Sequence, residues 1–231
     1  SLGGAIEEHT WQALLLPDVR AIAGHIALER FAQEIRKGLQ QNPRLLFLLL
    51  LESRLLELYW PSGQKWPAVI PPEMDQVLPL EMRLAFFFHK NTIEAPATVL
   101  RYWKFSLKEI RRLEAAMAML AFSGVSVADR RRLISQLKGL LKNDAAEFLG
   151  DCQTPQWQGK ELLELLGLPL QVTDLALRGH DLIAMGYHGV QIGQALEHLL
   201  AQVLEDPSLN TREKLTTVLQ NLNPDRTPGN S

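Results

Sequence analysis

A single cysteine, Cys152, in 231 residues excludes a disulfide within the chain and fits a reducing compartment. Long apolar runs are missing too. The longest, Leu45-Leu46-Phe47-Leu48-Leu49-Leu50-Leu51, has Arg44 and Glu52 at its ends and falls far short of the ~20 residues that span a bilayer. No basic segment precedes an apolar one near the start, as a secretory leader would require. These absences predict a soluble, cytoplasmic protein with no membrane partner. Strict apolar–polar alternation is also lacking, which argues against a sheet. Histidines at 9, 25, 89, 188 and 198 show no metal-ligand spacing, and His180-Asp181 lacks the further ligands a metal-dependent phosphohydrolase needs. No catalytic constellation and no metal site are therefore expected. With a formal net charge of −2, no overall basicity advertises a polyanion partner.

What is present is helical. Hydrophobic residues make up 46% of the chain, enough for a substantial core in one or two domains. They recur at intervals of three and four almost throughout. Ser106-x-x-Glu109, Ser126-x-x-Asp129 and Asn210-x-x-Glu213 read as helix-starting capping boxes, and prolines punctuate the stretches between. The pattern predicts an all-α fold, an elongated array of about ten to twelve helices without a sheet. The run at 45–51 reads as the middle of a helix buried on most sides, and Trp60, Trp66 and Trp103 as covers for core edges. Boundaries are placed at a Pro-rich connection over 61–78, with a helical segment 1–60 before it and a basic helical body at 79–150 after it. A glycine-bearing C-terminal portion follows at 151–222, then a disordered end at 223–231.

Charge is unevenly distributed. Residues 89–142 hold 11 Lys/Arg against 4 Asp/Glu, whereas residues 143–231 hold 5 against 12. Such asymmetry suits a polyanion partner, or the pairing of chains in an oligomer. Within the acidic third, Gly179, Gly186, Gly189 and Gly193 fall in fifteen residues, just ahead of an apolar helical run. A glycine-rich turn opening a helix offers backbone N–H groups and a positive dipole end to an anion such as phosphate. Tight turns and close helix packing are the plainer use of the same glycines.

Several of these residues carry a resemblance. Asp174-Leu175, Gly179-x-Asp181-Leu182, Gly186-x-x-Gly189-x-x-Ile192-Gly193, Leu199-Leu200-x-x-Val203 and Asn210-Thr211-Arg212-Glu213-x-Leu215 resemble the tail of bacterial CCA-adding tRNA nucleotidyltransferases, whose family includes poly(A) polymerases. Ile26-x-x-Glu29-Arg30-x-x-x-Glu34-x-x-Lys37 is similar to that family's neck motif. Leu55-Leu56-Glu57 with Pro61, and Lys104-Phe105-Ser106-Leu107-Lys108-Glu109-Ile110, look like segments of its body. The resemblance covers roughly residues 2 to 220 and makes Leu2-Gly3-Gly4 the end of a neck helix.

The resemblance implies a protein that adds C, C and A, or only CC or A, to tRNA 3′ ends with two metal ions in an N-terminal head. The head's Gly-Gly-x-x-x-Arg-Asp and Asp-x-Asp signatures are absent here, and so is the nucleotide-selecting Glu-Asp-x-x-Arg stretch. These residues are therefore expected to be inactive alone and to bind no cofactor, with Mg²⁺ and CTP or ATP belonging to the head. The implied partner is tRNA, not DNA, held along its acceptor arm and elbow through phosphate and ribose. Candidate contacts are Arg101, Lys104, Lys108, Arg111, Arg112, Arg130, Arg131, Arg132, Lys138 and Lys142 in the basic stretch. Around the glycine turn they are Arg178, Gly186, His188, Gly189 and Gly193. Phe105-Ser106 looks like a helix start, so Arg101, Lys104 and Lys108 are not expected on one continuous helix. Where the family often has Pro or Lys beside the glycines, this chain has His188 and Val190, which shifts the expected contact to backbone N–H groups. Glu29, Arg30 and Glu34 are read as structural ion-pairing positions of the neck, and Asp181 as a helix-starting residue.

Overall fold

The computed structural model describes residues 7–152, 154 and 156–222; the readings at residues 2–4 and at 223–231 lie outside them. Among the described residues the protein is all-α, without a β-strand. Thirteen α-helices follow one another: α1 (Glu8–Leu14), α2 (Pro17–Ala23), α3 (Leu28–Gln41), α4 (Pro43–Glu52), α5 (Leu80–Lys90), α6 (Pro96–Tyr102), α7 (Leu107–Ala121), α8 (Val127–Leu141), α9 (Ala145–Gly150), α10 (Gly159–Leu166), α11 (Gly179–Ala184), α12 (Val190–Glu205) and α13 (Arg212–Leu222). Five short 3-10 helices lie between them. None of the helices is long and apolar enough to cross a membrane. The chain divides into two compact units, residues 7–121 with Asp151 and Cys152, and residues 122–150 with Thr154 and 156–222.

In the first unit, α3 buries Ala32, Ile35, Gly38 and Leu39, one stripe at helical spacing. Gly38 sits where α4 crosses: a Cβ there would meet the Leu46 methyl groups at 2.8 Å, so a larger residue would require Leu46 to shift. The Asn42 side chain accepts from Leu45 N–H at 3.0 Å and Pro43 takes the first helical position, which together start α4. The run 45–51 is helical as expected, yet of its side chains only Phe47 is buried, and Leu48 is exposed. The other five leucines are half-buried, so α4, packed chiefly against α3 and the 3-10 turns at Leu55–Tyr59 and Pro72–Asp75, is partly covered on most sides. Helix α5 packs on α7 with Met82, Leu84, Ala85, Phe87 and Phe88 all buried, where Ala115 and Ala116 of α7 keep the facing surface low.

The stretch 61–78 is not a loose connection. Pro61, Pro67, Pro71, Met74 and Leu78 are buried within it. Buried Asn91 clamps it: Oδ1 accepts from Ala68 and Val69 N–H at 2.7 and 2.8 Å, while Nδ2 donates to the Val69 and Phe87 carbonyls at 2.7 and 2.8 Å. An extended segment with no helix or sheet partner thereby gets its backbone bonds from one carboxamide. The break between units falls instead at Ala121, inside what the sequence groups as one body, because the chain after α7 contributes to a separate core. Trp60 and Trp103 lie within an aromatic cluster rather than at an edge. Phe31 stacks on Tyr59 at 3.9 Å, the Trp60 and Trp103 rings are 5.7 Å apart, and Trp103 Nε1 donates to the Tyr59 carbonyl at 2.7 Å. Trp66 is the one that covers an edge. The Cys152 thiol is buried, and that burial, with Asp151 and Glu81 nearby, pushes its pKa up to about 12.

The second unit centres on Leu175, Leu177, Leu182, Tyr187, Leu199, Val203, Leu215 and Leu219, drawn from α11 to α13 and the turns before them. The Ser126 box opens α8, with Asp129 N–H to Ser126 Oγ at 3.0 Å and Ser126 N–H to Asp129 at 3.2 Å. The box at Asn210 is not formed. Thr211 takes the capping place weakly, its hydroxyl 3.4 Å from Lys214 N, and Asn210 instead accepts from Ala176 N–H and donates to the Asp174 carbonyl.

We expect Asn91→Ala to lower stability by about 3 kcal/mol, because it removes four hydrogen bonds to backbone at once. Urea unfolding should show a lower midpoint with an unchanged slope; an unshifted midpoint would contradict the clamp.

Candidate nucleic-acid interface

Each glycine of the 179–193 segment has its own local reason. At Gly179 a Cβ would stand 3.5 Å from Ile192, so this glycine lies at the packing of α11 against α12. Gly186, at φ +84°, ends α11. Its N–H bonds the Ile183 carbonyl at 3.0 Å and that of Tyr187 bonds the Leu182 carbonyl at 2.9 Å, the paired closure that favours glycine after a helix. Gly189, at φ +55° and ψ −127°, precedes α12 in a conformation that side chains avoid. Gly193 differs from the other three. It lies inside α12, is exposed, and a Cβ added there would meet nothing within 4 Å. A helix-interior glycine costs about 1 kcal/mol relative to alanine, and no packing among the described residues accounts for it.

The turn thus presents open backbone at Gly186, Gly189 and Gly193, and exposed His188 between them. The first donors of α12 are partly used: Gln191 N–H bonds the His188 carbonyl at 3.1 Å and Ile192 N–H that of Gly189 at 3.3 Å. The dipole end and the accessible backbone remain as attractions for an anion. Arg178 is exposed, but its guanidinium donates to the Thr173 carbonyl. Asp181, on the other hand, is buried and structural. It accepts from Arg178 N–H at 2.8 Å and pairs with Arg212 at the start of α13. That N–H, with the Arg212 guanidinium, holds its carboxyl below the ordinary value of 3.8.

The basic residues fall into two groups. Those on α8 serve the second unit itself. Arg130 pairs with Glu161 of α10 and lies over the Trp157 ring at 5.5 Å. Arg131 donates to the Leu204 carbonyl at 2.6 Å and to that of Glu205, capping α12. Arg132 pairs with Asp129 and with Glu205, and Lys138 with Asp174 at 3.0 Å. Burial raises the Asp174 carboxyl, yet Lys138 and the Leu170 and Gln171 N–H groups outweigh it and leave the pKa lowered. The geometry therefore accounts for Arg130, Arg131 and Arg132 without a nucleic acid: the basic and acidic thirds neutralise each other here.

In the first unit, Arg101, Lys104 and Lys108 are exposed around the turn from α6 to α7, which breaks the helix between them as the sequence suggests. Lys104 stands at φ +56° with its carbonyl held by Arg36 at 2.8 Å, so backbone strain and a long-range bond together fix where it points out. Arg36 also meets Glu109 at 2.9 Å, and Glu109 closes the Ser106 box, at 2.6 Å from Ser106 N. Burial raises the Glu109 carboxyl, but these bonds outweigh it and leave it ionised below its usual range. The nearest acid to Arg101 is Glu114 at 3.8 Å. Lys104 and Arg111 have no ionic partner among the described residues. Arg112 is turned inward, with Nε and one terminal nitrogen buried, and acts as a counter-charge to buried Glu81. As a phosphate contact it is poorly placed. Of the neck positions, Glu34 pairs with Lys37 at 2.8 Å, while Glu29 and Arg30 do not make the expected ion pair among the described residues. No group of three or more His, Cys, Asp or Glu side chains among the described residues could hold a metal.

Acid should loosen the second unit. Asp174 and Asp181 are depressed when folded, so their contribution is complete above the ordinary value of 3.8 and fades as pH falls through their folded values. We expect the melting temperature to drop between about pH 5 and about pH 2, and the drop to shrink in Asp181→Asn; equal slopes in both proteins would refute this. No protein-family model matches the chain, and no curated protein or solved structure is significantly similar to it.

Proposed function

We propose that the chain grips a folded RNA, a tRNA, by its sugar-phosphate edge, as the holding portion of a tRNA nucleotidyltransferase that adds CCA, CC or A. The supporting observation is Gly193: an exposed glycine inside α12, beside two turn glycines with open space around them, leaves room for a backbone outside this chain. A phosphate–ribose strand is such a partner, because it needs close approach more than side-chain contacts. The exposed cations of the first unit, Lys104, Lys108, Arg101 and half-exposed Arg111, add the charge that phosphate recognition requires. Nucleotidyl transfer itself would belong to a head carrying the paired aspartates, with Mg²⁺ and CTP or ATP bound there. The candidate contacts narrow to Arg101, Lys104, Lys108, Arg111, Arg178, His188 and the three open glycines.

A second reading, a helical protein-interaction module, is favoured by one observation in the first unit. Ile22 and Ile26 are exposed near the α2–α3 turn, beside an apolar groove of about 170 Å³ lined by Phe31, Leu50, Leu55 and Tyr59. Affinity for tRNA separates the two. On the first reading it is micromolar or tighter and falls steeply with salt; binding that is absent or insensitive to salt favours the second.

Two sets of variants test the RNA reading. Gly193→Ala should raise stability by about 0.5–1 kcal/mol while weakening tRNA binding, whereas Gly139→Ala, an exposed position in α8, should stabilise without touching affinity. A Gly193→Ala protein that binds tRNA unchanged contradicts the proposal. Joint reversal of Lys104 and Arg111 to Glu should weaken binding at least about tenfold and reduce the salt slope by about two, as for two lost phosphate contacts. Arg130→Glu should instead lower the melting temperature of the second unit, since it loses Glu161.

A further inference from the structure

The second unit contains a groove of about 420 Å³ between α12 and α13 that opens beside the glycine turn. Its two walls differ. Gln191, Gln194 and His198 recur at three- and four-residue intervals, so α12 supplies a polar wall. Leu219 and Leu222, three apart on α13, supply an apolar wall, and the ring of Tyr187 closes the end nearest the turn. Among the described residues no Asp, Glu, Lys or Arg lines the groove. An ion has little reason to enter, and neither does a wholly apolar body, which would leave the exposed Gln194 carboxamide facing a surface that cannot bond it.

The lining suits a neutral, flat body with apolar faces and an edge that both donates and accepts hydrogen bonds. A nucleobase has that description. One carboxamide offers an acceptor and two donors, enough to meet a base edge in bidentate fashion, and His198 can add one more bond. The leucines would cover the face of the ring. Tyr187 belongs both to the groove and to the turn between Gly186 and Gly189, so the groove begins where the backbone is open to a phosphate. A single nucleotide could reach from the turn into the groove only with its base unstacked. The volume exceeds that of one base, and so admits any of the four with its ribose.

We propose that this groove receives one unpaired nucleobase of the bound RNA, with Gln194 and His198 reading its edge while the glycine turn meets the adjoining phosphate. The proposal rests on the RNA-binding reading and gives it a property that phosphate contacts lack: a preference for a splayed loop base over a plain duplex. Gln194 is exposed and His198 half-exposed, so replacing them leaves the core of the unit intact.

The test uses the full chain and two RNA hairpins of equal charge, one with a seven-nucleotide loop and one with the same loop made abasic. Fluorescence anisotropy at several salt concentrations gives both affinities. The unaltered protein should prefer the hairpin with loop bases by about tenfold, the weight of one stacked and hydrogen-bonded base. Gln194→Ala/His198→Ala should bind both hairpins with the affinity that the unaltered protein has for the abasic one. Leu222→Glu, which places a charge at the groove, should do the same. Equal affinity of the unaltered protein for both hairpins, with normal salt dependence, overturns the base site and leaves the phosphate reading standing. A preference that survives the substitutions also overturns it and frees the groove for a peptide segment. Absence of salt-dependent binding to either hairpin overturns both readings together.

Discussion

Short helices have ends, and every end leaves backbone groups without a partner inside the helix. With thirteen α-helices among the described residues, none longer than 16 residues, the chain meets that constraint at nearly every turn. Much of its polar sequence is spent there. Arg131 closes the last carbonyls of α12, Glu109 and Ser106 close the first turn of α7, Asp181 holds the start of α11, and Arg36 takes the Lys104 carbonyl between α6 and α7. Asp174 accepts from the Leu170 and Gln171 N–H groups while holding Lys138. Remove these side chains and the apolar stripes remain, but the joints that aim them do not.

The same constraint decides how the charges should be read. A run such as Arg130-Arg131-Arg132 looks like a polyanion site when only its sign is counted. In the fold, each guanidinium faces a carboxylate or a helix end, and the acidic third that faces it is its complement rather than a separate feature. Charge that is left over is more informative. It lies on Lys104 and Arg111, which have no ionic partner among the described residues, and at the glycine turn, where exposure is of backbone rather than of side chains.

Local signals were legible and relational ones were not. Helical periodicity and the absence of alternation gave the all-α class, and the reciprocal patterns at Ser106 and Ser126 marked the starts of α7 and α8. The pattern at Asn210 misled because a long-range use, bridging Asp174 and Ala176, competed with the local cap. The prolines over 61–78 suggested a linker, since nothing in them shows that Asn91, further along the chain, binds their backbone. The leucines of α4 are half-buried at most, because apolar content says nothing of how closely neighbours cover a helix. Of the candidate site, the glycine turn could be found from spacing, but the groove beside it could not: Gln194 and His198 acquire meaning only once α13 lies opposite.

Cys152 gives the chain a built-in clock. A thiol fully enclosed and titrating near 12 is almost entirely in its unreactive form at neutral pH and is out of reach of reagents in solution. Alkylation at this one sulfur therefore waits on opening of the surrounding packing. The rate of labelling counts how often the α5–α7 region exposes its interior, residue-specific and without any introduced probe.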